Sequence, residues 1–193
     1  MAKPNVVSKE TLIESAETCI SEKGLEKLTL KSVAEQANVS QGTVYYHFRT
    51  KENLMLEVVR HVCGSSWANV KNSRLSSIEK VREALLSAKS RTKDSADFHR
   101  LFLTLTVSGF QNERIKEQLS HLLQSENQLL TEELTRLWGT SPIEGVSLTT
   151  WGIMLNALID GLAIQSLVSN DFSTEDVYQE LEWMLVKLTE KMM

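Results

Sequence analysis

The run from Leu28 to Leu54, LTLKSVAEQANVSQGTVYYHFRTKENL, constrains the fold more than any other part of the chain, because two short helical patterns flank a tight polar turn. In the first pattern Leu30, Val33, Ala34 and Ala37 recur at spacings of three and four, so one stripe faces inward while Lys31 and Glu35 stay wet. Thr29 stands where an N-cap belongs. Asn38 follows the last periodic residue, and asparagine is the non-glycine residue that most readily takes the left-handed backbone that stops a helix. Val39 then plugs the gap between the helices. Ser40 caps a second helix whose first exposed residues, Gln41, Gly42 and Thr43, are small or hydrogen-bonding and whose later positions are aromatic. This is the layout of a helix-turn-helix, and such an N-terminus fits a major groove.

The rest of the chain reads as helix. There is no internal repeat or low-complexity segment, and Pro4 and Pro142 leave long stretches free to be helical. A first helix begins after Ser8, with Leu12, Ile13, Ala16 and Ile20 on one face and Glu10, Glu14 and Glu17 outside it, and ends at Gly24. A fourth opens at Thr50, carries Leu54, Val58 and Val62 inward, and runs toward Trp67 before a polar break over 71–77. Beyond the break, Ile78, Val81, Leu85 and Leu86 mark one amphipathic helix. The string Phe98, Leu101, Phe102, Leu105, Val107 and Phe110 marks a more buried one. A long helix over 112–137 ends at the turn cluster 139–145, and the stretch 148–168 is apolar on most sides, so it must be covered on several faces. The last helix starts with Ser173 and Asp176 in capping-box spacing, and Val177, Leu181, Met184, Leu185, Leu188 and Met192 form its stripe.

Charge and cysteine content narrow the function classes. The chain of 193 residues has a net charge of -4, which argues against a protein that coats nucleic acid indiscriminately. The charge is uneven: residues 1–60 are neutral in sum, and between Lys27 and Lys51 four basic residues face Glu35 alone, a modest phosphate-facing patch. Cys19 and Cys63 each lie within a helical pattern and suggest neither a disulfide framework nor a metal site, which fits a reducing cytoplasm. The N-terminus lacks an apolar leader, no run approaches ~18 apolar residues, and Asp160 interrupts the most apolar late stretch, so no membrane role is expected. His47, His61, His99 and His121 show no metal-binding helix spacing. No nucleophile motif or glycine-rich phosphate loop is present, so neither an enzyme nor a cofactor is expected. Glu132 and Glu133 read as a wet helix face.

The run VSQGTVYYHFRTKENL, Val39 to Leu54, closely resembles the DNA-binding domain of the TetR family of transcriptional regulators, and the resemblance extends upstream over Ile13 to Ala37. One departure is visible: the family usually has glycine where Asn38 stands. The resemblance implies an all-α protein of about nine helices. An N-terminal three-helix helix-turn-helix domain, residues 1–50, is joined by a long fourth helix to a C-terminal helical ligand-binding and dimerisation domain, residues 51–193. It implies that Gln41, Gly42 and Thr43 open the recognition helix, with Gln41 as base reader, Gly42 allowing close approach and Thr43 offering a hydroxyl and a methyl group. Tyr45, Tyr46 and His47 lie one turn later toward flanking phosphates, with Thr29, Lys31 and Lys51 on neighbouring helix starts. Val44 and Phe48 are expected inside. The structural reading stands beside the functional one: Thr29 and Ser40 are helix caps first, the Tyr45 ring is core or contact, and Lys27 and Arg49 are solvated charge.

The same resemblance implies a homodimer on double-stranded operator DNA, since two reader helices about 34 Å apart are needed for specific binding. The two helices before the last would form a four-helix bundle with their symmetry mates, with Leu119, Leu122, Leu155, Leu158, Leu162 and Ser166 at the interface; the competing reading buries all of that surface within one subunit. It further implies a repressor with a small-molecule pocket in the helical body. Trp67, Phe98, Phe102, Phe110, Trp151, Met154 and Trp183 are the candidate lining, and they point to a hydrophobic or aromatic effector. Two alternatives stay open: an activator of the same family, and a helical adaptor whose hairpin binds protein.

Overall fold

The computed structural model describes residues 7–72, 77–90, 92 and 97–192, without the side chains at 67, 69–72 and 77. Among these residues the chain is all helical. The elements are α1 (Lys9–Lys23), a 3-10 turn (Leu25–Lys27), α2 (Leu30–Gln36), α3 (Gln41–Phe48), α4 (Lys51–Asn72), α5 (Ser77–Ser90), α6 (Asp97–Gly109), α7 (Glu113–Trp138), α8 (Leu148–Val168) and α9 (Thr174–Met192). Two compact units are present. One comprises Met1–Val62 with Arg100–Leu119, the other Cys63–His99 with Ser120–Met193, so the division falls inside α4, α6 and α7.

In the first unit, short helices are held by their caps as much as by propensity. Ser8 accepts from Thr11 N–H at 3.1 Å to start α1, and Gly24, at φ 83°, ends it. Thr29 and Ser32 satisfy each other reciprocally at 2.9 Å, hydroxyl to backbone N–H in both directions, so α2 begins with its first free donors bonded. Leu12, Ala16, Leu28, Val33, Val44, Phe48, Leu54 and Val59 are fully buried behind these helices. Each side chain taken out of water there contributes about 1.5–3 kcal/mol. The buried Cys19 thiol donates to Ser32 O across 3.4 Å, linking α1 to α2.

In the second unit Leu85, Leu134, Trp138, Trp151, Leu155, Leu162, Leu181 and Leu185, from α5, α7, α8 and α9, share one core. The Trp138 indole N–H donates to Thr189 Oγ1 at 3.0 Å, and that hydroxyl donates to Leu185 O at 2.8 Å, so these two buried polar groups are bonded in sequence. Helices α7 and α8 approach closely at Gly152, where an added Cβ would lie 2.6 Å from Thr131 Oγ1 and 2.9 Å from Asn127 O. Asn156 donates to Asn127 Oδ1 at 2.9 Å one turn further along, which fixes the register of the pair.

Three sequence expectations need correction. Leu86, Val107 and Phe110 are exposed, and of the string 98–110 only Leu101 and Leu105 are buried among the hydrophobics. Those two lie one turn apart, whereas Val107 falls on the opposite face and Phe110 lies past the end of α6. Arg49 is also more than a solvated charge, as described below. Finally, α8 is long and apolar enough to cross a membrane by length and composition, with a mean hydropathy of 1.4 over its most apolar window. Asn156 and Asp160 are too few to lower it. Trp151, Leu155 and Leu162 nevertheless pack into the core described above, as in a helix covered on several sides.

Candidate nucleic-acid interface

The turn between α2 and α3 forms as its residues dictate. Asn38 adopts φ 52°, and Val39 N–H returns to Ala34 O at 2.9 Å, closing the end of α2 in a left-handed cap. Ser40 then accepts from Thr43 N–H at 3.2 Å and starts α3. Val44 and Phe48, four residues apart, are buried and seat α3 on the core. That anchoring leaves the opposite face of α3 outside. Gln41, Gly42, Tyr45 and Tyr46 are exposed, Thr43 and His47 half-buried. A Cβ on Gly42 would meet only Ser40 Oγ, at 3.6 Å, so nothing among the described residues requires a glycine there.

The flanking helix starts share this exposure. Thr29, Lys31 and Ser40 are exposed and Lys51 is half-buried. Lys31 lies 3.8 Å from Glu35, an exposed pair worth little in water, so its charge remains available. The Tyr45 ring is 51% exposed and the Tyr46 ring 69%, so neither is core. Arg49 holds its guanidinium 5.4 Å from the Tyr45 centroid and 5.7 Å from that of Tyr46, a cation over two ring faces. Its backbone takes φ 66°, a region costly for a side chain of this size. The sharp corner from α3 to α4 accounts for that. Asn53 Nδ2 donates to Phe48 O at 3.0 Å and Thr50 Oγ1 accepts from Asn53 N–H at 3.1 Å, so α4 is capped immediately after the bend.

Electrostatics around α1 touch this face. Glu10, in the first turn of α1, titrates below its ordinary range because its own backbone N–H and the Ser8 hydroxyl bond its carboxylate, with smaller help from Lys9 and His47. Glu17 titrates above its ordinary range because it is partly buried, with His61 pulling it back down. One of its oxygens is buried without a hydrogen-bond partner among the described residues.

The residues named for an effector and an interface are dispersed. Trp151 is in the core of the second unit, where its ring meets Trp138 edge to face at 5.5 Å and its N–H donates to Ser141 Oγ at 3.1 Å. Phe98 and Phe102 are half-buried, Met154 is exposed, Phe110 is 79% exposed and Trp183 66%, and the Trp67 side chain lies outside the described residues. A cavity of about 300 Å³ in the second unit is lined instead by aliphatic side chains, among them Val81, Leu85, Leu130, Leu134, Leu155 and Ile159, with Lys80, Glu133 and Arg136 also on its wall. The expected lining was aromatic, and this one has no ring; the signal in the sequence that marks it is the recurrence of leucine on facing helices. Of the interface set, Leu119, Leu122, Leu155 and Leu162 are buried within the single chain, Ser166 is half-buried and bonds Ala163 O, and only Leu158 is exposed. The stripe 155, 162 turns into the core, while Ile153, Met154, Leu158, Ile164 and Val168 form the uncovered apolar face of α8.

Residues 12–58 match the family model of bacterial regulatory proteins, tetR family. The transcriptional regulator BetI of Paraburkholderia phymatum is 26% identical over 174 residues, covering 86% of this chain and 84% of that protein. BetI of Burkholderia ambifaria is 34% identical over a shorter match of 79 residues, 41% of each chain. Among solved structures, a transcriptional regulator from a Rhodococcus species superposes with TM-score 0.70 at 20% identity, covering 95% of this chain and 97% of its own. The fatty acid degradation regulator FadR of Bacillus halodurans superposes with TM-score 0.66 at 14% identity, covering 96% of each. At these identities the superpositions speak for the fold. With the matched helix-turn-helix and its exposed α3 face, residues 12–58 form a DNA-binding domain of the tetR family of bacterial regulatory proteins, and over most of its length the chain is similar to transcriptional regulators of that kind.

Proposed function

We propose that this chain is a cytoplasmic, ligand-responsive repressor that binds operator DNA as a homodimer and releases it when a small apolar molecule occupies its helical body. Residues 1–50 are assigned to DNA binding and 51–193 to effector binding and dimerisation. The observation that carries the reading is the α3 face: Gln41, Gly42, Tyr45 and Tyr46 point outward from a helix fixed by Val44 and Phe48, and none is needed for the protomer's own packing. Gln41 suits bidentate recognition of adenine, Thr43 offers a methyl to thymine, and Thr29, Lys31, Ser40, Tyr45, Tyr46, His47 and Lys51 supply phosphate contacts.

The dimer surface assigned here is the uncovered face of α8 around Met154 and Leu158. Burying these side chains against a second copy removes an apolar stripe that a monomer leaves in water. The effector site assigned here is the aliphatic cavity of the second unit, which suits a small apolar ligand. Release of DNA requires that the ligand prefer the released form; lowering operator affinity a hundredfold takes about 2.7 kcal/mol of preference.

The test is retention of labelled duplexes carrying the region upstream of the chain's own coding sequence, measured over a range of salt concentrations. Sequence-selective binding with a steep salt slope is expected. Absence of both selectivity and slope would instead favour a protein-binding adaptor.

A further inference from the structure

A second cavity, of about 180 Å³, lies within the first unit, where the end of α3, the first turns of α4 and the start of α7 meet. Its walls carry His47, Arg49, Asn53, Arg60, Arg114 and Gln118, over a floor of buried Phe48 and Leu56. The single carboxylate among the lining residues, Glu57, is already taken: Lys9 holds it at 2.8 Å and Arg60 at 3.5 Å. Arg60 also donates to Gln118 Oε1, which leaves the amide nitrogen of Gln118 as a donor. Arg114 has no ion pair or hydrogen bond among the described residues.

A concave site with the Arg114 guanidinium, the Arg60 guanidinium shared with Glu57 and Gln118, Arg49 held at its rim against Tyr45 and Tyr46, one neutralised carboxylate and an uncommitted amide donor is complementary to a compact anion. Guanidinium forks match phosphate oxygens in pairs, and a phosphate needs several such donors to replace its hydration. The volume equals roughly six waters at about 30 Å³ each, enough for a phosphate with part of its shell. We propose that this cavity binds a free phosphate-bearing anion, of the size of inorganic phosphate or pyrophosphate, distinct from the aliphatic ligand assigned to the second unit. A DNA phosphate shares that chemistry. It is assigned above to His47 on the same wall, but it is the less suitable source for Arg60, which lies nine residues beyond Lys51, about 13 Å along α4 from the helix start assigned to the DNA backbone. A bound anion would join the end of the reading helix to α4 and to the first turn of α7, and its binding free energy would add to the stability of that unit.

The test is calorimetric titration of the full chain with inorganic phosphate, then pyrophosphate, in Tris chloride at constant ionic strength. One saturable site per chain is expected. Arg114→Gln, at an exposed position, should weaken it at least tenfold, whereas Arg100→Gln, an exposed arginine on α6, should leave it unchanged. Melting of Arg114→Gln in phosphate-free buffer should match the parent protein, and the parent should melt higher as phosphate is added. Absence of saturation, or equal loss in both variants, overturns the proposal. In the second arm, DNA retention is measured without added phosphate. Unaltered retention by Arg114→Gln is the expected result. A uniform loss across duplexes with the salt slope reduced by about one would place a DNA phosphate in the cavity and overturn the free-anion assignment.

Discussion

Replacing Gly152 by alanine should test whether α7 and α8 are packed as tightly as their backbones indicate. Alanine gains about 1 kcal/mol over glycine in a helix interior. Against that, the new methyl would sit 2.6 Å from Thr131 Oγ1 and 2.9 Å from Asn127 O. The Thr131 hydroxyl can rotate away, at the loss of its 2.8 Å bond to Asn127 O. The Asn127 carbonyl is backbone and cannot, so the helices must part by about 0.4 Å to restore an ordinary C···O contact near 3.3 Å. Overpacking of this kind costs about 1–3 kcal/mol, which leaves Gly152→Ala between neutral and about 2 kcal/mol destabilised. Gly64→Ala is the reference: its methyl would meet nothing within 4 Å, so the helix gain stands alone. The two variants should therefore differ by about 1–3 kcal/mol, and in a chain of this length each kcal/mol moves the melting point by about 2–4 °C. Thermal and urea unfolding at one fixed protein concentration would read the difference, since association shifts both. The reasoning is refuted if Gly152→Ala melts at or above Gly64→Ala with an unchanged urea slope.

Further outcomes follow from other contacts. Thr189→Val keeps the shape of the side chain but strips the acceptor from the Trp138 indole, so urea unfolding should show a loss of about 1–3 kcal/mol that Thr189→Ser largely restores; a loss under 0.5 kcal/mol would count against the bond. Gln41→Ala should relax base preference at one operator position while Lys51→Ala weakens all duplexes alike, and equal losses from both would undo these roles. Leu158→Glu places a charge on the open face of α8 and should shift sedimentation toward the monomer at micromolar concentration with helicity intact; an unaffected dimer would move the interface elsewhere. Burial holds the Glu17 carboxyl above its ordinary range, so its favourable protonated form is present below the unfolded pKa and lost as pH rises through the folded one. The stability advantage of Glu17→Gln should accordingly grow with pH across that window and then level off, and a constant difference would contradict the assignment.

The helix starts were legible because each rests on a short-range bond that residue type announces: Ser8, Thr29, Ser40 and Ser173 all accept from a backbone N–H three residues on. The left-handed turn at Asn38 was legible for the same reason, and α8 was bounded correctly as a stretch apolar on most sides that follows the turn cluster 139–145. What the sequence obscured was which side of an apolar helix turns inward. Helix α8 has little amphipathic contrast, so spacing alone could not separate Leu155 and Leu162, which enter the core, from Met154 and Leu158, which do not. The cavity linings were obscured more deeply. Val81, Leu130 and Leu181 meet only through tertiary packing, and the basic cavity draws Arg114 to Arg60 across more than fifty positions of chain. Arg49 was hidden by a local rule, because a bulky residue with positive φ is not what a turn sequence suggests.

The edge-to-face meeting of Trp138 and Trp151 gives the second unit an optical gauge of its own. Two indoles held 5.5 Å apart in one dissymmetric surrounding should give a near-ultraviolet circular dichroism that reports their fixed packing. That band should fade as soon as α7 slips from α8, even while far-ultraviolet ellipticity persists, which separates loosening of the pair from melting of the helices. Trp183, by contrast, is open to solvent in the single chain, and its emission should be quenched by iodide unless another surface comes to lie over it.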